Sequence, residues 1–471
     1  MEKQGRIRSR GIEVNTMIIL DASGFNKEPH DLIDDRLAFI EAVRSASIAP
    51  VNGIAPTKKM CAAIFQIMKD EGSLELIMAS YQLLTELDKH FPRVYASIVE
   101  KSESPSPGSV LELVVVEEAW SPFIFGSDCE REDDNRNSGS LDFSGFEILI
   151  QDLAKVAVGR KIEEFETKYL RSMVLLQYIF SVLQGDFLPR NSVFKENMDW
   201  NLLTVSLLNI LLGSRRISYK DLIKGCLSII CEMSHLHAEL SDDMTLPKSS
   251  AAELFKSCDT DLAISFPEVR KCVFTALQKF LLMAMELDAS RKKADTLGLT
   301  TRADGVRTPV VEIIQDELTY NGDAISPFFQ VFNEPKWKME IIVQYFQKYI
   351  AKPSVRTRRT SEPIDDATFD GVLKCFSNIN SVKSITKKIS IEVAQLLLAH
   401  GFQAYLSLSF QHSAEGNYKS KEDVKDNSMA EVCKNIISAF MNLRRIDEHV
   451  EILPFGKEAL FTAATILSTK S

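Results

Sequence analysis

The chain is 471 residues long and 45% hydrophobic, enough to bury a sizeable core along most of its length. It carries 55 basic against 65 acidic residues, a net charge of −10, which excludes uniform binding to a nucleic-acid backbone and leaves room only for a local basic face. With 20 Gly and 16 Pro it is too poor in turn formers for a many-stranded β fold.

Residues 1–30 are polar, carry Lys3, Arg6, Arg8 and Arg10, and lack a sustained apolar period, which predicts a disordered tail. No apolar leader and no run of about eighteen apolar residues is found, so secretion and membrane insertion are not expected. Order is predicted to begin near Asp34, where Leu37, Ile40, Ala42 and Val43 recur at helical spacing. After a turn marked by Pro50, Gly53 and Pro56, Thr57 is placed to cap a helix that ends at Gly72. A further helix stops at Pro92. Ser102–Ser109 reads as a flexible linker, and residues 111–125 as an extended segment anchored by Trp120 and Phe123. Ser127–Asp142 is acidic and polar, the composition of a disordered loop.

From Phe143 onward the apolar spacing is helical again, with one helix expected to end near Gln184 and others over about 200–212, 219–240, 251–259, 267–287, 309–319, 324–332 and 336–350. Asn333 is the expected cap of the 336–350 helix, with Pro335 in its first turn. Its apolar face holds Trp337, Ile341, Ile342, Tyr345, Phe346, Tyr349 and Ile350; Lys338, Glu340, Gln344, Gln347 and Lys348 take the other side. Helices over about 366–377, 390–409, 429–443 and 456–468 complete the chain, with a polar loop at 411–427.

The predicted fold class is therefore all-α, an irregular armadillo/HEAT-like helical solenoid with a disordered N-terminal tail and a disordered acidic loop. The expected organisation is a tail (1–30), an N-terminal helical region (31–126), the acidic linker (127–142) and an armadillo/HEAT-like region (143–471).

Chemistry is sparse. Neither GxxxxGK[ST] nor GxGxxG occurs, so no phosphate-cradling loop is expected. Cys226, Cys231, His235 and His237 form the one Cys/His cluster, and their spacing fits no zinc site; buried thiols and surface histidines are the expectation. Eight cysteines without a CxxC pair indicate a reducing compartment, cytosol or nucleus. Acid pairs such as Asp34–Asp35, Asp316–Glu317 and Asp365–Asp366 read as helix starts and solvated faces rather than a general acid and base. One feature runs against the global charge: Lys336 to Arg359 holds seven Lys or Arg and one Glu, and ends in KPSVRTRR. Lys352, Arg356, Arg358 and Arg359 are the candidate contacts with a partner or with DNA. The same loop reads equally well as a solvated connection capping the preceding helix.

Several stretches carry a resemblance: DDRLAFIEAVRSASIAP (34–50), EEAWSPFIFGS (117–127), FLPRN (187–191), MELDASRKKAD (285–295), TRADGVRTP (301–309), VFNEPKWKMEIIVQYFQKYIAKPSVRTRRT (331–360), SITKKI (384–389) and EILPFGKEALFTA (451–463). Across nearly the whole chain the sequence resembles a plant family of negative regulators of systemic acquired resistance, the suppressors of NPR-inducible immunity. The resemblance implies a nuclear, all-helical, armadillo-like protein without enzymatic activity, cofactor, metal or small-molecule substrate, which restrains defence-gene expression and homologous recombination. It further implies similarity to an Nse-type non-SMC subunit of the SMC five/six complex, with SMC subunits and an Nse-type protein as partners, chromatin or transcription-factor contact, at most weak DNA contact, and no membrane association. The rival expectation is an autonomous chromatin-associated DNA-binding repressor, against which the net charge counts.

Overall fold

The computed structural model describes residues 13–20, 29–48, 53–100, 109–117, 119–123, 141–158, 166–242, 266–305, 307–350, 368–414 and 422–469. These residues are all-α apart from one β-hairpin and form two compact units, 1–310 and 311–471. The division falls inside the 143–471 stretch read from sequence as one region. Among the described residues no helix is long and apolar enough to cross a membrane.

The first unit starts with α1 (13–20), inside the stretch expected to be a disordered tail. The run Met17–Leu20 supplies the apolar side chains overlooked there; Thr16 is buried, and Glu13 lies 3.6 Å from Lys59. Helices α2 (Pro29–Ser47), α3 (Lys58–Asp70) and α4 (Leu74–His90) pack as neighbours. Thr57 caps α3 as expected, its hydroxyl accepting from the Met60 N–H at 3.4 Å.

Next comes an antiparallel hairpin, β1 (Val94–Glu100) with β2 (Ser109–Val115), in the register Val94↔Val115 to Glu100↔Ser109. The apolar alternation Val94, Ala96, Ile98 opposite Leu111, Leu113, Val115 gives this hairpin one apolar face. The extended segment after it is anchored as expected: the Trp120 ring lies 5.4 Å from Phe65, and Phe123 is buried beside Phe146. The acidic stretch ends in a core residue, contrary to its reading as wholly polar: Leu141 is buried and donates its N–H to the Pro122 carbonyl at 2.6 Å.

Helices α5 (Phe143–Val158), α6 (Glu166–Asn197), α7 (Asn201–Thr204), α8 (Leu207–Gly213), α9 (Tyr219–Asp242) and α10 (Phe266–Thr296) complete the unit. α6 is its spine, packed against α3, α4, α5, α7, α8, α10 and both strands. It does not end near Gln184 but runs on through Gly185 and Pro189. Burial and ion pairing around Asp186 and Arg190, described below, override these local breakers. Phe180 stacks on Phe280 with centroids 4.5 Å apart, joining α6 to α10, and Phe146 of α5 meets both rings edge-on.

The second unit comprises α11 (Val310–Tyr320), α12 (Ile325–Val331), α13 (Pro335–Gln347), α14 (Phe369–Phe376), α15 (Ile379–Thr386), α16 (Ile391–Ala414), α17 (Glu422–Ile446) and α18 (Pro454–Thr469). α13 packs on α14 and α16, α17 packs on α14, α15 and α16, and α18 lies against α16 and α17. At Gly401 of α16 a β-carbon would fall 2.4 Å from the Phe369 ring, so close approach requires glycine there. The helix expected over 251–259 lies outside the described residues.

Candidate interaction surface and its supports

The first unit's polar residues are drawn into its packing. Asp186 and Arg190, one turn apart on α6 and both buried, face each other at 3.3 Å; Arg93 approaches the same carboxylate at 3.6 Å. The Leu207 N–H at the start of α8 donates to Asp186 at 2.7 Å, and Arg190 donates to the Leu202 carbonyl at 3.3 Å. A hydrogen-bonded carboxylate of this kind holds four elements in register.

The stretch 285–310 forms a second such group. Asp288 of α10 accepts from Arg307 at 2.5 Å and from the Val310 N–H at 2.8 Å, so it holds the end of the first unit to α10 while pairing with a cation. The Arg307 guanidinium also lies 5.0 Å over the Tyr219 ring, whose hydroxyl is pushed above its ordinary range by burial and then by Asp288. Asp304 accepts from the Trp200 indole at 3.2 Å and from the Thr301 N–H at 2.6 Å. Partial burial alone would make it a weaker acid; these donors instead hold it below the usual carboxylate range. Arg291 closes the turn by donating to the Asp304 and Gly305 carbonyls, and Gly305 takes φ 66°, where glycine carries no strain. This motif is a structural latch.

Cys61 and Cys226 are buried, and burial pushes both thiols up to about 12, which removes them as nucleophiles near neutrality. Cys231 is half-buried; the side chains of His235 and His237 lie outside the described residues. Among the described residues no group of His, Cys, Asp and Glu could hold a metal ion.

Around α13 the cap is Glu334, not Asn333, with Pro335 at the first helical position. The Trp337 ring is buried on the expected face, with Lys336 4.5 Å above it. Lys338 departs from the solvated face assigned to it: it is 7% exposed, and its ammonium donates to the Phe329 carbonyl at 2.9 Å. The tight turn between α12 and α13 folds that carbonyl over the helix start. Burial pushes Lys338 down to about 8. Next to it lies His400 of α16, 1% exposed, with both ring nitrogens buried and unpartnered. Its ring sits between Phe329 at 5.9 Å and Phe455 at 4.8 Å, and burial, then Lys338, push it down to about 4. Neither residue carries a distinctive sequence signal.

Lys352, Arg356, Arg358 and Arg359 lie outside the described residues. A different basic group stands in the second unit: Lys383, Lys387 and Lys388 are exposed at the end of α15. Lys388 reaches the Tyr349 carbonyl at 3.5 Å, beside the exit of α13. The sequence signal was an absence: between Asp370 and Glu392 there is no acidic residue.

The first unit is thus helical with one hairpin and the second all-helical among the described residues; Asp186, Asp288 and Asp304 serve packing, and a basic edge is exposed in the second. A family model described as the SNI1 middle domain matches residues 93–334, and one described as the SNI1 C-terminal domain matches residues 350–471. The chain is also similar to the negative regulator of systemic acquired resistance SNI1 of Arabidopsis thaliana, at 44% identity over 463 residues, covering 98% of this chain and 95% of the relative. No solved structure matches it. The chain belongs to the SNI1 family.

Proposed function

We propose that this protein is a non-enzymatic nuclear scaffold subunit of the SMC five/six complex, acting in the DNA damage response and homologous recombination. Its family membership makes it a negative regulator of systemic acquired resistance, the activity named for its Arabidopsis relative. The observation that carries the scaffold reading is that Asp186, Asp288 and Asp304 each accept several structural hydrogen bonds, which ties these three carboxylates to backbone and side-chain donors. Helical stacks of this type present extended surfaces to other proteins. In this reading Lys352, Arg356, Arg358 and Arg359 contact a partner subunit.

The test is to purify the tagged protein from nuclease-treated plant nuclei and identify what remains bound. Stoichiometric SMC subunits with an Nse-type protein are expected. Recovery of the protein alone, with transcription factors present only when DNA is left intact, would overturn the reading in favour of a repressor acting at promoters. Charge reversal of Arg356, Arg358 and Arg359 together should weaken partner recovery without changing the thermal midpoint; unchanged recovery would remove those residues from the interface.

A further inference from the structure

We propose that Lys383, Lys387 and Lys388, with the start of α16, form a contact surface for the phosphate backbone of double-stranded DNA. The inference goes beyond the scaffold reading and does not rest on it.

The surface is built by the way α15 packs. Val382, Ile385 and Ile389 are buried, and α15 lies against α17. That fixes the opposite edge outward and exposes all three lysines. The helical bond from the Lys387 N–H to the Lys383 carbonyl, 3.3 Å, keeps Lys383 and Lys387 one turn apart, with Lys388 next to them in the chain. Lys388 is steadied against the Tyr349 carbonyl at 3.5 Å. Immediately afterwards Ser390 caps α16, accepting from the Val393 N–H at 3.2 Å, so the positive end of a 24-residue helix adjoins the lysines.

Local charge supports an anion. From Gly371 to Ile391 there are four lysines and no acidic residue. Of the flanking acids, Asp370 is paired with Lys374 at 2.8 Å, while Glu392 is exposed in the first turn of α16 and marks the limit of the basic edge. Apart from Ile379, the remaining exposed side chains are short and polar, Ser377, Asn378, Asn380 and Ser390, the donor types that position a phosphate backbone without reading bases.

The kind of anion follows from what the edge carries. Protein interfaces are anchored by exposed aromatic or large apolar groups, and single-stranded nucleic acid by aromatic rings that stack on bases. In this unit such groups stand on other helices, as Phe410, Met441 and Phe461. On α15 the large apolar group exposed is Ile379, at the end away from the lysines. Lysines and short donors without stacking rings match a duplex backbone.

The experiment is fluorescence anisotropy of the full-length protein with a labelled duplex of about three helical turns and arbitrary sequence, from about 50 to 200 mM salt. The wild type should bind, weakening steeply with salt. The K383E/K387E/K388E variant should lose at least about tenfold in affinity, and its log–log salt slope should fall by about 2–3, in line with three phosphate contacts. R215E/R216E/K220E, a reversal of three exposed basic residues in the first unit, is the control and should change neither. Equal loss in both variants, or no binding by the wild type, would overturn the proposal. So would wild-type binding to a poly-glutamate peptide with the same loss in the α15 variant, which would make the edge a protein contact. The substituted side chains are exposed, so circular dichroism and the thermal midpoint should match the wild type. Recovery of SMC subunits by the α15 variant reports on the scaffold reading separately.

Discussion

Asp288 in the first unit is half-buried and Lys338 in the second is buried, and the two charges are satisfied to very different degrees. Asp288 meets the Arg307 guanidinium and the Val310 N–H. Lys338 meets one carbonyl, and its neighbour His400 meets no hydrogen-bond partner. A buried charge with several partners is costly to break, whereas one with a single partner is costly to keep. The first unit therefore uses its half-buried charge to fix geometry, and the second tolerates a buried one because the aromatic packing around it is strong.

The largest effect should come from breaking the first arrangement. Asp288→Asn leaves the Arg307 side chain, 8% exposed, without its counter-charge and should cost on the order of 3–5 kcal/mol, measured by denaturant unfolding. Truncating apolar packing in the second unit should cost a similar amount: Trp337→Ala opens a cavity worth about 3–5 kcal/mol. A loss under about 1 kcal/mol in either variant would mean that its burial contributes little.

A pH series sharpens the contrast. The folded value of His400, about 4, lies below its ordinary 6.5, so the unfolded chain takes up the proton first as pH falls. Stability contributed by neutral His400 is full above about 6.5 and lost towards 4, a swing on the order of 3 kcal/mol. His400→Phe should flatten the denaturation midpoint over that window; an unchanged slope would show that His400 is not its source. The smallest effect belongs to Lys338→Met. Removing a desolvated ammonium with one partner should be neutral or stabilising by about 1 kcal/mol at pH 7, the opposite sign to Asp288→Asn. Because folded Lys338 titrates near 8, below its ordinary 10.5, wild-type stability should rise between those values, and the Met variant should lose that rise.

Most helices were legible from periodicity because their buried faces are regular, as in α3, where Met60, Cys61, Ile64, Phe65, Ile67 and Met68 line one side. The misreadings share a cause: contacts made by residues distant in sequence. Pro189 does not break α6 because Asp186 and Arg190 beside it are held by Arg93, Leu202 and Leu207. Lys338 was assigned to solvent by spacing, since the carbonyl that takes it inward belongs to the preceding helix. Strand β1 was missed because its apolar alternation spans few residues after Pro92. The candidate site was legible as composition only: a basic run can be seen in sequence, but which lysines share an edge depends on how α15 turns against α17.

The position of α6 bears on how the protein can be cut. Because α3 and α4 lie against it, a fragment begun at the hairpin, near residue 93, would strip Phe65 from the Tyr178 ring and leave part of the spine's apolar side wet. A fragment ended near residue 334 would carry α11 and α12 without α16, the helix that covers α12. The segments recognisable by similarity are thus not pieces that fold alone, and soluble halves are expected only from breaks near residue 310.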